Sequence, residues 1–250
     1  MSKLNFRLFA LLTIALFLMP ISVQAAGHSS APDGFYAPEV LAEFDGSNDE
    51  AYIAYKGRVY DVSDRFSDGS HGGTEAGQDI TENLVNANHG PDVLDDNEPI
   101  GYYLDYILTE EELAEYDGSN DNKPLVAVDN ILYDASDVFS DGSHGGNQAG
   151  QDLSDEFHDR HGEGNLEAMP VVGALVTYEL TEEELAEYDG QDNSSAFVAV
   201  NDVIYDVSDS WSNGSHQGME AGNDITEEIT AAGHGKSVLA NSPVVGVIAE

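Results

Sequence analysis

The sequence predicts an α+β architecture of three tandem small domains, each a short mixed sheet with helices around a pocket. Three observations lead there: a repeat with a period near 72 residues, short helical and alternating strand patterns that recur in the same order, and a histidine pair in every copy. Asp45, Asp117 and Asp189 are 72 residues apart, and the first histidine of each pair steps by 73 and then 72. A unit of this length can carry its own small core, whereas solenoid repeats are usually shorter. No Gly/Ser or Pro-rich linker separates the units, so the expectation is three units packed in a row at fixed geometry.

Taken in order, the chain opens with Lys3 and Arg7, an apolar run from Leu8 to Met19 and the small-residue pattern Val23, Gln24, Ala25. This reads as a secretory signal peptide over residues 1–25, since a largely apolar run of twelve residues falls short of the roughly 20 that span a bilayer. The chain has no cysteine, which removes disulfides and lipoprotein anchoring, so an exported protein of this kind is held by its core and its ligands. The net charge is −40, and cleavage would remove two cations and no acid. Such a field repels nucleic acid and anionic lipid and suits a saline exterior. Yet 41% of residues are apolar and the acids sit within patterned segments, so the chain folds rather than remaining disordered. Residues 26–35, small and polar, read as a mobile leader that includes His28.

The domains are then placed at 36–105, 106–177 and 178–250. Each is expected to open with an acidic helix, clearest in LTEEELAEYDG from Leu108 and Leu180, where Thr109 with Glu112 and Thr181 with Glu184 have capping-box spacing. In the first unit Pro38 suits the opening turn instead. An alternating strand pair follows, with two-residue turns at Lys56-Gly57, Asp129-Asn130 and Asn201-Asp202. Phe66, Phe139 and Trp211 each precede the first histidine by five residues, a position in a pocket wall or core. Every unit closes on a Pro-led apolar strand from Pro99, Pro170 or Pro243.

Between these strands lies the repeated stretch SHGGTEAGQDITENLVNANHG from Ser70, SHGGNQAGQDLSDEFHDRHG from Ser143 and SHQGMEAGNDITEEITAAGHG from Ser215. It holds six of the eight histidines as the pairs His71/His89, His144/His161 and His216/His234. Asp79, Asp152 and Asp224, each with an acid three residues on, are expected to N-cap a short helix between the two histidines. Apolar residues four apart, such as Ile80 and Leu84 or Leu153 and Phe157, share one helix face. The paired histidines then enter from loops on either side and can converge on one object.

The order of a strand ending Tyr-Asp-Val-Ser, His-Gly-Gly, Ala-Gly-x-Asp-x-Thr and a later His resembles the cytochrome b5-like haem/steroid-binding family in its short prokaryotic form. The resemblance implies a small α+β domain enclosing one non-covalent haem b, three per chain, with His71, His89, His144, His161, His216 and His234 as axial iron ligands. Gly72, Gly145 and Gln217 stand where the family has Pro after the first histidine, and the segment between the histidines is shortened. His158 lies three residues before His161, whose following Gly gives it the family register.

A lone histidine is ordinarily a hydrogen-bonded loop residue, but three matched pairs are an ordered pattern. Two histidines per unit without cysteine fall short of zinc's usual four ligands. The acidic runs at Asp45, Asp117 and Asp189 lack the spacing and bidentate Glu of a calcium loop. Nothing resembles a nucleophile with its base, a phosphate loop or a dinucleotide fingerprint, so no enzyme is expected. The resemblance therefore implies a secreted multihaem cytochrome that transfers single electrons in the periplasm or outside the cell, is not membrane-embedded, and meets cationic or ion-bridged redox partners or itself end to end. The alternative is a protein that stores or carries haem or another flat apolar ligand without redox chemistry.

Overall fold

The computed structural model describes residues 34–249 except 88, 89, 95, 96, 163, 168, 192, 193, 233 and 234. The signal-peptide segment and the leader up to residue 33 lie outside the described residues. The leader's last two residues do not belong to it: Gly34 and Phe35 are buried in the first strand, Gly34–Tyr36.

Each unit folds into a five-stranded mixed sheet of the same topology. The spatial order is opening strand, closing strand, second hairpin strand, first hairpin strand, short edge strand. In unit 1 these are Gly34–Tyr36, Gly101–Tyr103, Arg58–Asp61, Tyr52–Tyr55 and Gln78–Asp79. In unit 2 they are Tyr106–Leu108, Val171–Leu175, Ile131–Asp134, Leu125–Val128 and Gln151–Asp152. In unit 3 they are Tyr178–Leu180, Val244–Ile248, Val203–Asp206, Phe197–Val200 and Asn223–Asp224.

Opening and closing strands pair in parallel, so the chain of each unit begins and ends side by side. A three-residue strand precedes the helix that the sequence pattern predicts at the start of each unit. So short a strand has no alternation to read, and its partner lies at the far end of the unit.

The helices follow at Pro38–Leu41, Glu110–Leu113 and Glu182–Leu185. Both expected capping boxes form, and Pro38 occupies the first turn of its helix. The hairpin turns have positive φ at both central residues, for example 50° at Lys56 and 73° at Gly57, the geometry that matches strand twist.

The second set of helices, Thr81–Val85, Ser154–Arg160 and Thr226–Ala231, starts one residue later than the Asp N-cap reading requires. Asp79, Asp152 and Asp224 instead accept the amide two residues on, at 2.7, 2.9 and 2.8 Å. The hydroxyls of Thr81, Ser154 and Thr226 each accept the amide of a hairpin-turn residue, Lys56, Asp129 and Asn201, all at 2.8 Å. The hairpin turn and the start of this helix are thus pinned together in every unit.

The units do not form an open row in chain order. Unit 1 touches both others. Its closing strand packs on that of unit 2. On its other side the Phe35 amide donates to the Ala240 carbonyl of unit 3 at 2.8 Å, and helix Pro38–Leu41 packs on the 3₁₀ segment Gly235–Leu239. Phe35, Val40, Leu41, Leu239 and Ala240 are all buried, so this seam is part of a hydrophobic cluster that runs through all three units. Apolar faces on the terminal units override the linear arrangement, because burying them against each other removes more surface from water.

Candidate cofactor pocket

The first histidine of each pair sits on a minute hairpin. Ser70–His71 pairs with Thr74–Glu75, Ser143–His144 with Asn147–Gln148, and Ser215–His216 with Met219–Glu220. The turn residues have positive φ: 60° and 89° at Gly72 and Gly73, 60° and 95° at Gly145 and Gly146, and 48° and 92° at Gln217 and Gly218. Glycine suits this backbone, whereas Gln217 adopts it against side-chain sterics. The upstream aromatic lies against the imidazole in every unit: Phe66–His71 at 5.7 Å, Phe139–His144 at 5.6 Å and Trp211–His216 at 5.7 Å between ring centres. In unit 2 Phe139 also lines the cavity, so there both readings of that aromatic, pocket wall and packing, meet at one position.

In unit 2 the second histidine is also described. His161 caps the C-terminus of helix Ser154–Arg160, its amide bonded to the Phe157 carbonyl at 2.8 Å. The Phe157 ring lies 5.4 Å from that of His161. The helix thereby brings His161 to face His144, with ring centres 6.2 Å apart and planes inclined at 39°. Arg160 ties helix to hairpin by donating to the Gly145 carbonyl at 3.3 Å.

A cavity of about 550 Å³ opens here, lined by both histidines and by apolar side chains including Val126, Val128, Leu153 and Leu166. His158 is not in the lining. Its Nε2 lies 3.0 Å from both carboxylate oxygens of Asp129 in the hairpin turn, which turns the ring away from the cavity.

In unit 1, His71 Nδ1 lies 3.1 Å from the Arg65 carbonyl, a contact that fixes the ring and leaves Nε2 as the forward nitrogen. In unit 3, Gln217 Nε2 lies 3.2 Å from His216 Nε2. His89 and His234 lie outside the described residues. The structure thus brings one of the three pairs together and places the first members of the other two in the same setting. Leu166 and Met169, which follow the second histidine and line the cavity, had escaped the sequence reading. Their spacing of three residues was the available signal.

The acidic runs are turns. Asp45, Asp117 and Asp189 accept the amides of Ser47, Ser119 and Gln191 at 2.8, 2.7 and 2.8 Å. The hydrogen bonds from Ser47 and Ser119 hold the Asp45 and Asp117 carboxyls below the usual aspartate range. Among the described residues no group of three or more His, Cys, Asp or Glu side chains is placed to hold a metal ion.

The family model for the cytochrome b5-like heme/steroid binding domain matches residues 37–103, 109–176 and 181–249. Two solved structures are similar to part of the chain. A cytochrome b5 domain protein of Hadesarchaea YNP_N21 is 41% identical, over 29% of this chain and 99% of that one, with a TM-score of 0.28. A cytochrome b5 domain protein of Methanococcoides burtonii is 42% identical over the same shares, also with a TM-score of 0.28. No curated protein matches. With matches over three successive segments that together span most of its length, the chain belongs to the cytochrome b5-like haem/steroid-binding domain family and carries three tandem copies of that haem-binding domain.

Proposed function

We propose that the protein is a secreted b-type cytochrome that holds one haem per unit between two axial histidines and passes single electrons in the periplasm or outside the cell. The observation that carries this reading is the His144/His161 pair. Two imidazoles each about 2 Å from one metal atom have ring centres roughly 6 Å apart, and these centres are 6.2 Å apart across an apolar cavity. By repeat equivalence His71 with His89 and His216 with His234 take the same roles.

Bound haem would supply a one-electron iron couple and no open coordination position. The chain's own residues then hold, orient and shield. Val126, Val128, Leu153 and Phe157 keep water from the faces of the cavity. The Arg65 carbonyl selects the Nδ1–H tautomer of His71. Phe66, Phe139 and Trp211 restrain the first imidazole by ring contact. The net charge of −40 favours the more positive, ferric state, which sets low potentials and calls for cationic or ion-bridged redox partners.

The test is the visible spectrum and extractable haem per chain of the purified protein, with His71→Ala, His144→Ala and His216→Ala. Three haems with a low-spin six-coordinate spectrum are expected, and each variant should lose about one third of the absorbance if the sites are independent. A colourless protein, or potentials well above zero at all three sites, refutes the proposal. Ready transfer of haem to apomyoglobin with no electron exchange would instead identify a haem carrier.

A further inference from the structure

The seam between units 1 and 2 falls on the wall of the second pocket. Arg58, on the second hairpin strand of unit 1, reaches across to the Leu166 carbonyl at 3.5 Å, and Leu166 lines the cavity of unit 2. Beside it, Gly57 backs onto the Val171 carbonyl so closely that any β-carbon there would overlap it. Val171 follows Met169 and Pro170, two more lining residues. Unit 1 therefore braces the segment that closes the cavity after His161.

The same seam reaches the ligand helix of unit 2. Arg58 pairs across the sheet with Tyr102 of the closing strand of unit 1, and that strand packs on the closing strand of unit 2. Asp129 grips helix Ser154–Arg160 twice: its amide donates to the Ser154 hydroxyl and its carboxylate holds His158. His161 is the next residue after that helix. The positions equivalent to Arg58 are Ile131 and Val203, so of the three hairpins only that of unit 1 carries a cation here, in a chain with eight Lys and Arg against 48 acids.

We infer that Arg58 of unit 1 is a positioning residue for the haem site of unit 2, bracing its wall at Leu166 and adding a positive charge that raises its potential. The inference rests on the haem reading above. A guanidinium fork acts both by geometry and by charge, and the two contributions are separable, because lysine keeps the charge and loses the fork.

The experiment uses the full chain with His71→Ala and His216→Ala, which leaves haem at the second site, and compares Arg58, Arg58→Gln and Arg58→Lys. Arg58→Gln should speed haem transfer to apomyoglobin about tenfold and favour the ferric form about tenfold, equivalent to a fall of about 59 mV for a one-electron couple. Arg58→Lys should restore most of the potential but not the slow haem loss. In the chain with His144→Ala and His216→Ala, where the first site is loaded, Arg58→Gln should change the potential less than twofold in the same ratio.

An unchanged second site overturns the inference, as does an equal shift at the first site, which would make Arg58 a residue of its own unit. If Arg58→Gln does not fold, Arg58→Lys decides alone: unchanged haem loss overturns the bracing role. Failure of the parent double variant to bind any haem overturns the haem reading itself and the inference with it.

Discussion

Replacing Gly173 by Ala should destabilise unit 2, although glycine inside a strand is ordinarily worse than alanine by about 0.5–1 kcal/mol. Gly173 pairs in parallel with Tyr106 of the opening strand, and an added β-carbon would overlap the Tyr106 carbonyl. A carbon–oxygen contact normally sits near 3.3 Å or beyond, at about 3.3–3.6 Å. The obstruction is backbone on both sides, so no side-chain rotation relieves it. The strand must lift from the ladder at Gly173/Tyr106, Ala174/Ile107 and Leu175/Leu108. Two hydrogen bonds at about 1 kcal/mol each, with partial exposure of the buried Leu108 at about 1 kcal/mol, give a loss of about 3 kcal/mol. For a unit of this size that is about 15 °C in Tm if it melts as its own cooperative element. Thermal unfolding followed by circular dichroism, with hydrogen exchange at Ile107 and Leu108, measures it. A stability within about 0.5 kcal/mol of the parent and unchanged amide protection would refute the close-approach argument. At Gly246 the Tyr178 carbonyl stands in the same place, so that position should behave alike, whereas at Gly101 the first obstacle is the Tyr36 ring, which can shift, and a smaller loss is expected there.

Three further substitutions have expected outcomes. Thr109→Ala removes the hydroxyl that receives the Glu112 amide and should cost about 1 kcal/mol in denaturant unfolding, with the m-value unchanged. The Glu184 carboxyl lies below its usual range, chiefly because it accepts the Thr181 amide. Its folded-state value is depressed, so its contribution is complete above the ordinary glutamate range and fades as pH falls through the depressed one. Glu184→Gln should therefore flatten the acid limb of the stability profile and leave the alkaline limb as it is. Gln217→Gly relieves a φ of 48° and withdraws the amide beside His216 Nε2, so it should stabilise the apoprotein by about 1 kcal/mol. It should also tighten haem binding at the third site, read by haem titration in the chain with His71→Ala and His144→Ala.

Much of this molecule was open to a reading of local pattern. The hairpins, both Thr–Glu capping boxes and the four-residue spacing of Leu153 and Phe157 are set by neighbours in the chain, and all appear as read. The juxtaposition of His144 and His161 followed from a helix of the right length between them. What escaped notice depends on distant partners. The strand Tyr106–Leu108 exists because Val171–Leu175 arrives beside it more than sixty residues later. Gly34 and Phe35 looked like the end of a polar leader, yet Phe35 is buried through its bond to Ala240 near the other end of the chain. Arg58 carries no local signal at all, and its place opposite Leu166 comes from the packing of one repeat on the next.

The clasp between helix Pro38–Leu41 and segment Gly235–Leu239 also bears on how copies of the polypeptide can meet. The two faces are buried against each other, so a second copy cannot use them while the clasp is closed. Were it to open, a reciprocal exchange of third units between two copies would re-form the same buried contacts in a closed pair.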